Sequence, residues 1–410
     1  MAQSRYKDDI LKDFDQPMQL EAPSALPEPD ADSAAHSQKC AEYVRARIED
    51  AGGSISFAEY MQHALYAPGL GYYSAGARKF GAAGDFVTAP EISPLFGYLV
   101  ARQCAEVFAQ MEAGSIIEFG AGSGRLAVDV LTKLDELGAL PERYQILEVS
   151  ADLKERQELL LREQVAGYFD RIEWISAIPA QHAGVIIANE VLDALPVERF
   201  TRRDTVRQHR VRTISTGFEC FESAAPKNLV EAVEAIEADL GTKLPDGYTS
   251  EVSLGASGWV ADVVGALRLG VALFFDYGVS RSEYYAAERS AGWLRCHFRH
   301  HAHNDPLQLP GIQDITAWID YTAIATAAVN AGADVAGYVS QAQFLIGTGL
   351  DAELKSMMAS SVDRQIELSG QVKLLTLPGE MGENFKCLGV SRGPITQLTA
   401  FMLADRTHTL

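Results

Sequence analysis

"EFGAGSGRL", residues 118–126, joins one apolar run to another through three alternate glycines, Gly120, Gly122 and Gly124. Upstream, "SIIEFG" (115–120) reads as a short buried strand. Downstream, "GRLAVDVLTKLDEL" (124–137) spaces its apolar residues along one face of a helix. A strand that enters a helix through bare glycines lets a ligand approach main-chain N–H groups at the helix N-terminus. The same order then repeats. "YQILEVS" (144–150) reads as a strand and "ADLKERQELLLREQV" (151–165) as a helix. "RIEWI" (171–175) and "GVIIANEV" (184–191) read as strands, "SGWVADVVGALRL" (257–269) as a helix and "VALFFDYG" (271–278) as a fifth strand. Such alternation predicts an α/β fold, a doubly wound parallel sheet with helices on both faces.

Around this unit the chain divides further. Residues 1–38 are expected to be a disordered acidic tail: positions 1–33 hold eight acidic groups against three basic ones, with four prolines. Residues 39–112 read as a helical region, with Ser56 and Glu59 spaced as a helix start. This region carries a glycine-rich loop from Pro68 to Ser93, which is long for a compact protein and is expected to act as a lid. The sheet domain is expected over 113–395, with insertions near 197–225, 279–312 and 341–383 and a C-terminal tail over 396–410. "ITAWIDYTAIATAAVNA" (315–331) reads as a helix, "DVAGYVSQ" (334–341) as a strand and "NFKCLGVSR" (384–392) as a closing strand.

The bulk numbers exclude some functions. A formal charge of −20 argues against a nucleic-acid partner, which requires basic patches. No run approaches the roughly 18 to 20 apolar residues of a membrane span. Five scattered cysteines without CxxC spacing predict neither a disulfide framework nor a zinc site, and point to a reducing compartment. The N-terminus has neither the apolar middle of a signal peptide nor the arginine-rich, acid-poor make-up of a transit peptide. A cytoplasmic location is therefore expected.

The glycine spacing narrows the ligand. A dinucleotide fingerprint GxGxxG would need a small residue where Arg125 stands. The E-x-G-x-G-x-G form, beginning at Glu118, is instead the pattern of S-adenosyl-L-methionine methyltransferases; the alternative is a tight turn with no ligand. Glu148, ending the second strand, has the place of an acid that hydrogen-bonds ribose hydroxyls. Asn189 and Glu190 end the fourth strand beside the first, and Asp193 comes soon after. The cofactor-side candidates are thus Glu118, Gly120, Ala121, Gly122, Gly124, Glu148, Val149, Asn189 and Thr88. The catalytic candidates are Glu190, Asp193 and Asn189; Asp193 has a competing reading as a helix cap. Tyr72, Tyr73, Asp85, Glu91 and His300 are candidates for the substrate side or the lid. The histidines of "RCHFRHHAHNDP" (295–306) lack a metal-binding spacing, so no metal is expected.

Longer motifs carry a family resemblance. "GYY" (71–73), "FGAAGDFVTAPEIS" (80–93), "IIEFGAGSGRL" (116–126), "LEVS" (147–150) and "NEVLDALPVERF" (189–200) resemble the MidA family. So do "FFDYG" (274–278), "PLQLPGIQDITAWIDYT" (306–322), "QAQFLIGTG" (341–349) and "PGEMGENFKCLGVSR" (378–392). One departure is Trp293, in "GWLRC" (292–296), where a small residue is expected. The resemblance implies a Rossmann-like class I methyltransferase fold and S-adenosyl-L-methionine as cofactor. It further implies a protein partner carrying an arginine, which in the mitochondrial members is a subunit of respiratory complex I. Two other functions fit the same residues: an assembly factor that binds the cofactor without turnover, and a small-molecule N-methyltransferase.

Overall fold

The computed structural model describes residues 26–75, 87–358, 362–396 and 398–410. Its centre is a sheet whose seven main strands are β1 (Ser115–Phe119), β2 (Tyr144–Leu147), β3 (Ile172–Ile175), β4 (His182–Asn189), β5 (Leu267–Val279), β6 (Asp334–Ser340) and β7 (Phe385–Arg392). Their spatial order is β3-β2-β1-β4-β5-β7-β6. β1 to β5 pair in parallel; β7 runs antiparallel between β5 and β6. The order reverses between β1 and β4, and open α/β sheets bind their ligands outside the strand ends at such a reversal.

Side-chain alternation explains why the run Val185 to Ala188 is apolar throughout. Val185 and Ile187 enter one core, against the helices Pro94–Phe108 and Arg125–Glu136. Ile186 and Ala188 enter the other, against the helices Ala256–Ala266 and Tyr321–Asn330. A strand covered on both faces has no polar side. At the far end of the sheet the backbones crowd: a Cβ on Gly270 would lie 1.8 Å from the Gly184 carbonyl oxygen, and one on Gly184 would lie 2.0 Å from that of Ser115.

Two smaller sheets stand beside this layer. Glu198–Arg202, Val206–Ile214, Gly217–Ala224, Thr249–Val252 and Ile55–Ser56 form an antiparallel five-stranded sheet. Leu294–Phe298, His301–His303 and Asp314–Ala317 form a three-stranded one. The N-terminal helices Ala31–Asp50 and Phe57–Tyr66 pack a third core against both, around Cys40, Val44, Tyr60, Met61, Val211 and Ile315. The second helix starts at a capping box, in which the Ser56 hydroxyl accepts from Glu59 N at 3.1 Å and the Glu59 carboxylate accepts from Ser56 N at 2.7 Å.

Several expectations need correction. The first helix begins at Ala31, capped by Asp30, so the stretch 31–38 is helical; residues 1–25 lie outside the described residues. The expected helix over 315–331 begins only at Tyr321, because Asp314–Ala317 and Ile319–Asp320 are strands. Apolar residues there face three cores, which mimics helical spacing. The C-terminal stretch is not a loose tail: Phe401 is buried against Gly337 and Gly389, and Arg406 N donates to the Tyr338 carbonyl. Trp293 is accommodated by stacking on Trp318, with ring centroids 4.3 Å apart. Among the described residues no helix is long and apolar enough to cross a membrane.

Candidate active site

The glycine turn closes β1 onto the helix Arg125–Glu136 with positive φ at Gly120 (59°), Gly122 (54°) and Gly124 (87°). Side-chain partners hold it from two sides. Gln157 Nε2 donates to the Gly122 carbonyl at 2.9 Å and to Glu148 Oε2 at 3.0 Å, so one amide ties the turn to the acid ending β2. On the other side the Ser123 hydroxyl donates to Glu91. Glu118 is fully buried and accepts from the Tyr144 hydroxyl at 2.6 Å; burial raises its carboxyl to about 7.

β4 ends differently. Asn189 closes the strand, and Glu190 takes φ 54°, a left-handed conformation rare for a residue with a long side chain. Glu190 N still donates to the Phe275 carbonyl at 2.8 Å, so β5 fixes the corner. Asp276 pins the next stretch of backbone, its Oδ2 accepting from Leu192 N at 3.0 Å and Asp193 N at 3.1 Å. The next residue on β5, Tyr277, donates its hydroxyl to Asp193 Oδ2. Residues after Glu190 therefore form a pinned turn, with no helix between positions 190 and 193. The turn brings both acids to the cavity instead.

Asp193 is buried and Glu190 is half-buried. Desolvation, reinforced by the Asp193 charge, raises the Glu190 carboxyl to about 8; hydrogen bonds from the Asn189 amide and from Ala89 N oppose the shift. Desolvation raises Asp193 to about 6 against the hydrogen bond from Tyr277. Asp276 is also pushed up, by burial and by the charges of Asp193 and Glu190, while its backbone donors favour the anion.

These features open onto one cavity of about 1400 Å³. Its walls include Thr88, Glu91, Glu118, Gly120, Ala121, Gly122, Glu148, Val149, Asn189, Glu190 and Asp193, so most residues singled out in the sequence converge there. Gly124 is not on the wall; it is the helix N-cap, packed on Gln157. Tyr73 and His300 line the cavity. Tyr72 does not: it is 2% exposed in the N-terminal core, edge-on to Tyr73. Glu91 is turned towards the glycine turn, where it accepts from the Ser123 hydroxyl. Asp85 lies outside the described residues.

Several wall residues carried no role in the sequence reading: Tyr277, Trp259, His297, Asp314, Tyr66 and Thr316. The signal for Tyr277 was "FFDYG", at the end of the strand beside β4. Trp259, edge-on to Phe119 and Phe274, is a helix residue that looks like core from sequence. Asp314 and His297 belong to a sheet that no periodicity announced. Among the described residues no group of three or more His, Cys, Asp or Glu is placed to hold a metal.

The turn fits a nucleoside-bearing sulfonium. A Cβ on Gly120 would meet only Val191, at 3.6 Å, so the backbone there is open to close approach. Glu148 adds a carboxylate at the same wall, and Trp259 an aromatic surface. Replacing Glu148 with Ala is expected to weaken S-adenosyl-L-methionine binding by about 1 to 3 kcal/mol, the range for lost hydrogen bonds to a charged group. Titration calorimetry checks this; an unchanged affinity would remove Glu148 from the cofactor site.

Comparison with known proteins supports that fit. Residues 99–339 match a family model of S-adenosyl-L-methionine-dependent methyltransferases. A crystal structure from Burkholderia thailandensis with S-adenosyl-homocysteine bound is 40% identical, covers 94% of this chain and 100% of its own, and superposes with a TM-score of 0.89. A native crystal structure from the same organism gives 39% identity over the same shares and a TM-score of 0.87. The mitochondrial protein arginine methyltransferase NDUFAF7 of Danio rerio is 30% identical over 83% of this chain and 84% of its own. Its Drosophila melanogaster homolog is 28% identical over 91% and 90%. With the glycine turn, the β4 corner and these relatives in agreement, the chain belongs to the MidA family of S-adenosyl-L-methionine-dependent methyltransferases.

Proposed function

We propose that this enzyme methylates an arginine side chain of a partner protein. The observation that carries the reading is the pair of acids, half-buried Glu190 and buried Asp193, on the wall of the cavity that also holds the glycine turn. The relatives named as protein arginine methyltransferases support it.

S-adenosyl-L-methionine, when bound, supplies an electrophilic methyl group. An arginine guanidinium, with a pKa of roughly 12.5 to 13.8, arrives protonated and poorly nucleophilic. A carboxylate can grip it in fork fashion, orient one nitrogen and concentrate its lone pair. Glu190 is the gripping carboxylate, with its position fixed by Asn189, Ala89 N and the β5 ladder. Asp193, held by Tyr277, adds negative charge and takes up the proton released as the product forms. The mainly apolar wall strengthens the attraction of both carboxylates for a bound cation, because charge interactions gain strength away from water. The resemblance makes a respiratory complex I subunit the first partner to assay, and a bacterial cytoplasm the expected setting.

These charges set the sign of the pH dependence. Glu190 grips a cation only when ionised, and burial raises its carboxyl to about 8. The value of kcat/KM, which reports the free enzyme, is expected to rise with pH and level off above about 8. In kcat the same limb lies lower, because a bound guanidinium favours the carboxylate. A pH profile that falls between about 6 and 8 would contradict the clamp. The substrate class is tested by incubating the enzyme and methyl-labelled cofactor with an extract of cells lacking the protein. Label in protease-sensitive material is the expected result; label confined to small molecules would replace the proposal with the small-molecule methyltransferase.

A further inference from the structure

The acceptor side of the cavity has a second wall, and it comes from outside the methyltransferase sheet. The strand Asp314–Ala317 of the inserted three-stranded sheet lies directly against the turn that carries Asp193, with Ala317 N donating to the Asp193 carbonyl at 3.0 Å. Residues 314 and 316 alternate onto one side of that strand, and both Asp314 and Thr316 line the cavity. Asp314 is 3% exposed and is oriented by two donors on Oδ1, the Tyr73 hydroxyl at 2.9 Å and its neighbour Ile315 N at 3.0 Å. Tyr73 is in turn stacked on Tyr66, with centroids 5.5 Å apart, and Tyr66 is anchored by its hydroxyl to the Ala194 carbonyl at 3.0 Å. The N-terminal region, the inserted sheet and the β4 turn thus hold one another and hold this carboxylate.

Among the described residues the cavity wall carries seven carboxylates and one guanidinium, Arg125, which pairs with Asp129 at 3.2 Å. The described wall is therefore strongly acidic, and its guanidinium is engaged on the helix that leaves the glycine turn. The negative charge of Asp314 also makes the Glu190 carboxyl harder to ionise, by less than burial and the Asp193 charge do. A cation bound between the two acids relieves that repulsion.

We propose that Asp314, aimed by Tyr73, is a specificity residue of the acceptor pocket: it grips the edge of the substrate guanidinium that Glu190 leaves open. The inference rests on the arginine reading given above. A guanidinium is planar and presents N–H donors along more than one edge, so two carboxylates on different walls can both be satisfied. A lysine ammonium is a compact point charge that cannot span two separated acids with the same geometry. Two walls therefore select arginine over lysine by leaving one acid unpaired with the wrong side chain.

The test compares wild type, Asp314→Asn and Tyr73→Phe on a short glycine-flanked arginine peptide and its lysine counterpart, with methyl incorporation followed by mass spectrometry. Asp314→Asn keeps the Oδ1 acceptor, so folding is retained, and Tyr73→Phe keeps the ring packing as a second, milder variant. The expected result is a KM for the arginine peptide at least tenfold higher in Asp314→Asn. Less than a threefold fall in kcat, an unchanged cofactor affinity and a smaller arginine-over-lysine preference accompany it, and Tyr73→Phe shifts KM the same way by less. If wild type methylates the arginine peptide and both variants keep its KM and preference, the Asp314 role is overturned while the arginine reading stands. If wild type methylates neither peptide and binds the arginine peptide no better than the lysine one, both fall.

Discussion

Glu190→Gln is expected to lower methyl transfer by about 10³-fold, or about 4 kcal/mol in the activation barrier at 1.36 kcal/mol per tenfold. The substitution keeps the shape of the side chain and removes its charge. The main-chain corner stays in place, because Glu190 N is bonded to the Phe275 carbonyl and Asp276 holds the amides of Leu192 and Asp193. Cofactor affinity is expected to stay within about twofold, since the glycine turn, Gln157 and Glu148 are untouched. Burial also makes the uncharged variant easier to fold: a carboxyl raised to about 8 is costly to ionise in the folded state. The melting temperature above neutral pH should therefore rise slightly or hold while activity collapses. Single-turnover kinetics and a thermal melt separate the two effects. Turnover within tenfold of wild type would move the clamp to other residues.

Gly122→Val is expected to act one step earlier. Gly122 lines the cavity at φ 54°, where a β-branched side chain is strained by about 1 to 2 kcal/mol. Its carbonyl is also the acceptor that links the turn to Gln157. Valine both fills the approach to bare backbone and pushes the turn out of register with Glu148. The expected result is a cofactor Kd at least 100-fold higher, about 2.7 kcal/mol, with the sheet still folded. Circular dichroism and titration calorimetry on the same sample check it. A folded variant with wild-type affinity would show that the turn is only a structural connection.

How much of this was legible in the residues depends on where the information lies. β1, the glycine turn and the helix after it could be read because apolar period and glycine spacing are both local. The buried run of β4 was equally clear, since a strand covered on both faces has no polar side to confuse with a helix. The role of Glu190 could be guessed from the abrupt change of polarity at the strand end. Its mounting could not: Phe275, Asp276 and Tyr277 are more than 80 positions away, and they reach the corner only because β5 pairs with β4. Tyr72 and Tyr73 illustrate the limit most directly. They are adjacent and chemically alike, yet one is packed in a core and the other reaches Asp314. The stretch around Trp318 misled for a different reason. Its apolar residues serve three cores through strands, and their spacing matched a helix by coincidence.

The carboxylate clamp on arginine is probed most directly by fragment-ion mass spectrometry of a protein substrate after reaction with the wild-type enzyme and with Glu190→Gln. An added methyl group localised to an arginine side chain is expected in the first reaction, and an unmodified arginine in the second. A methyl group on a different residue type, or an arginine methylated equally by both enzymes, would refute the clamp.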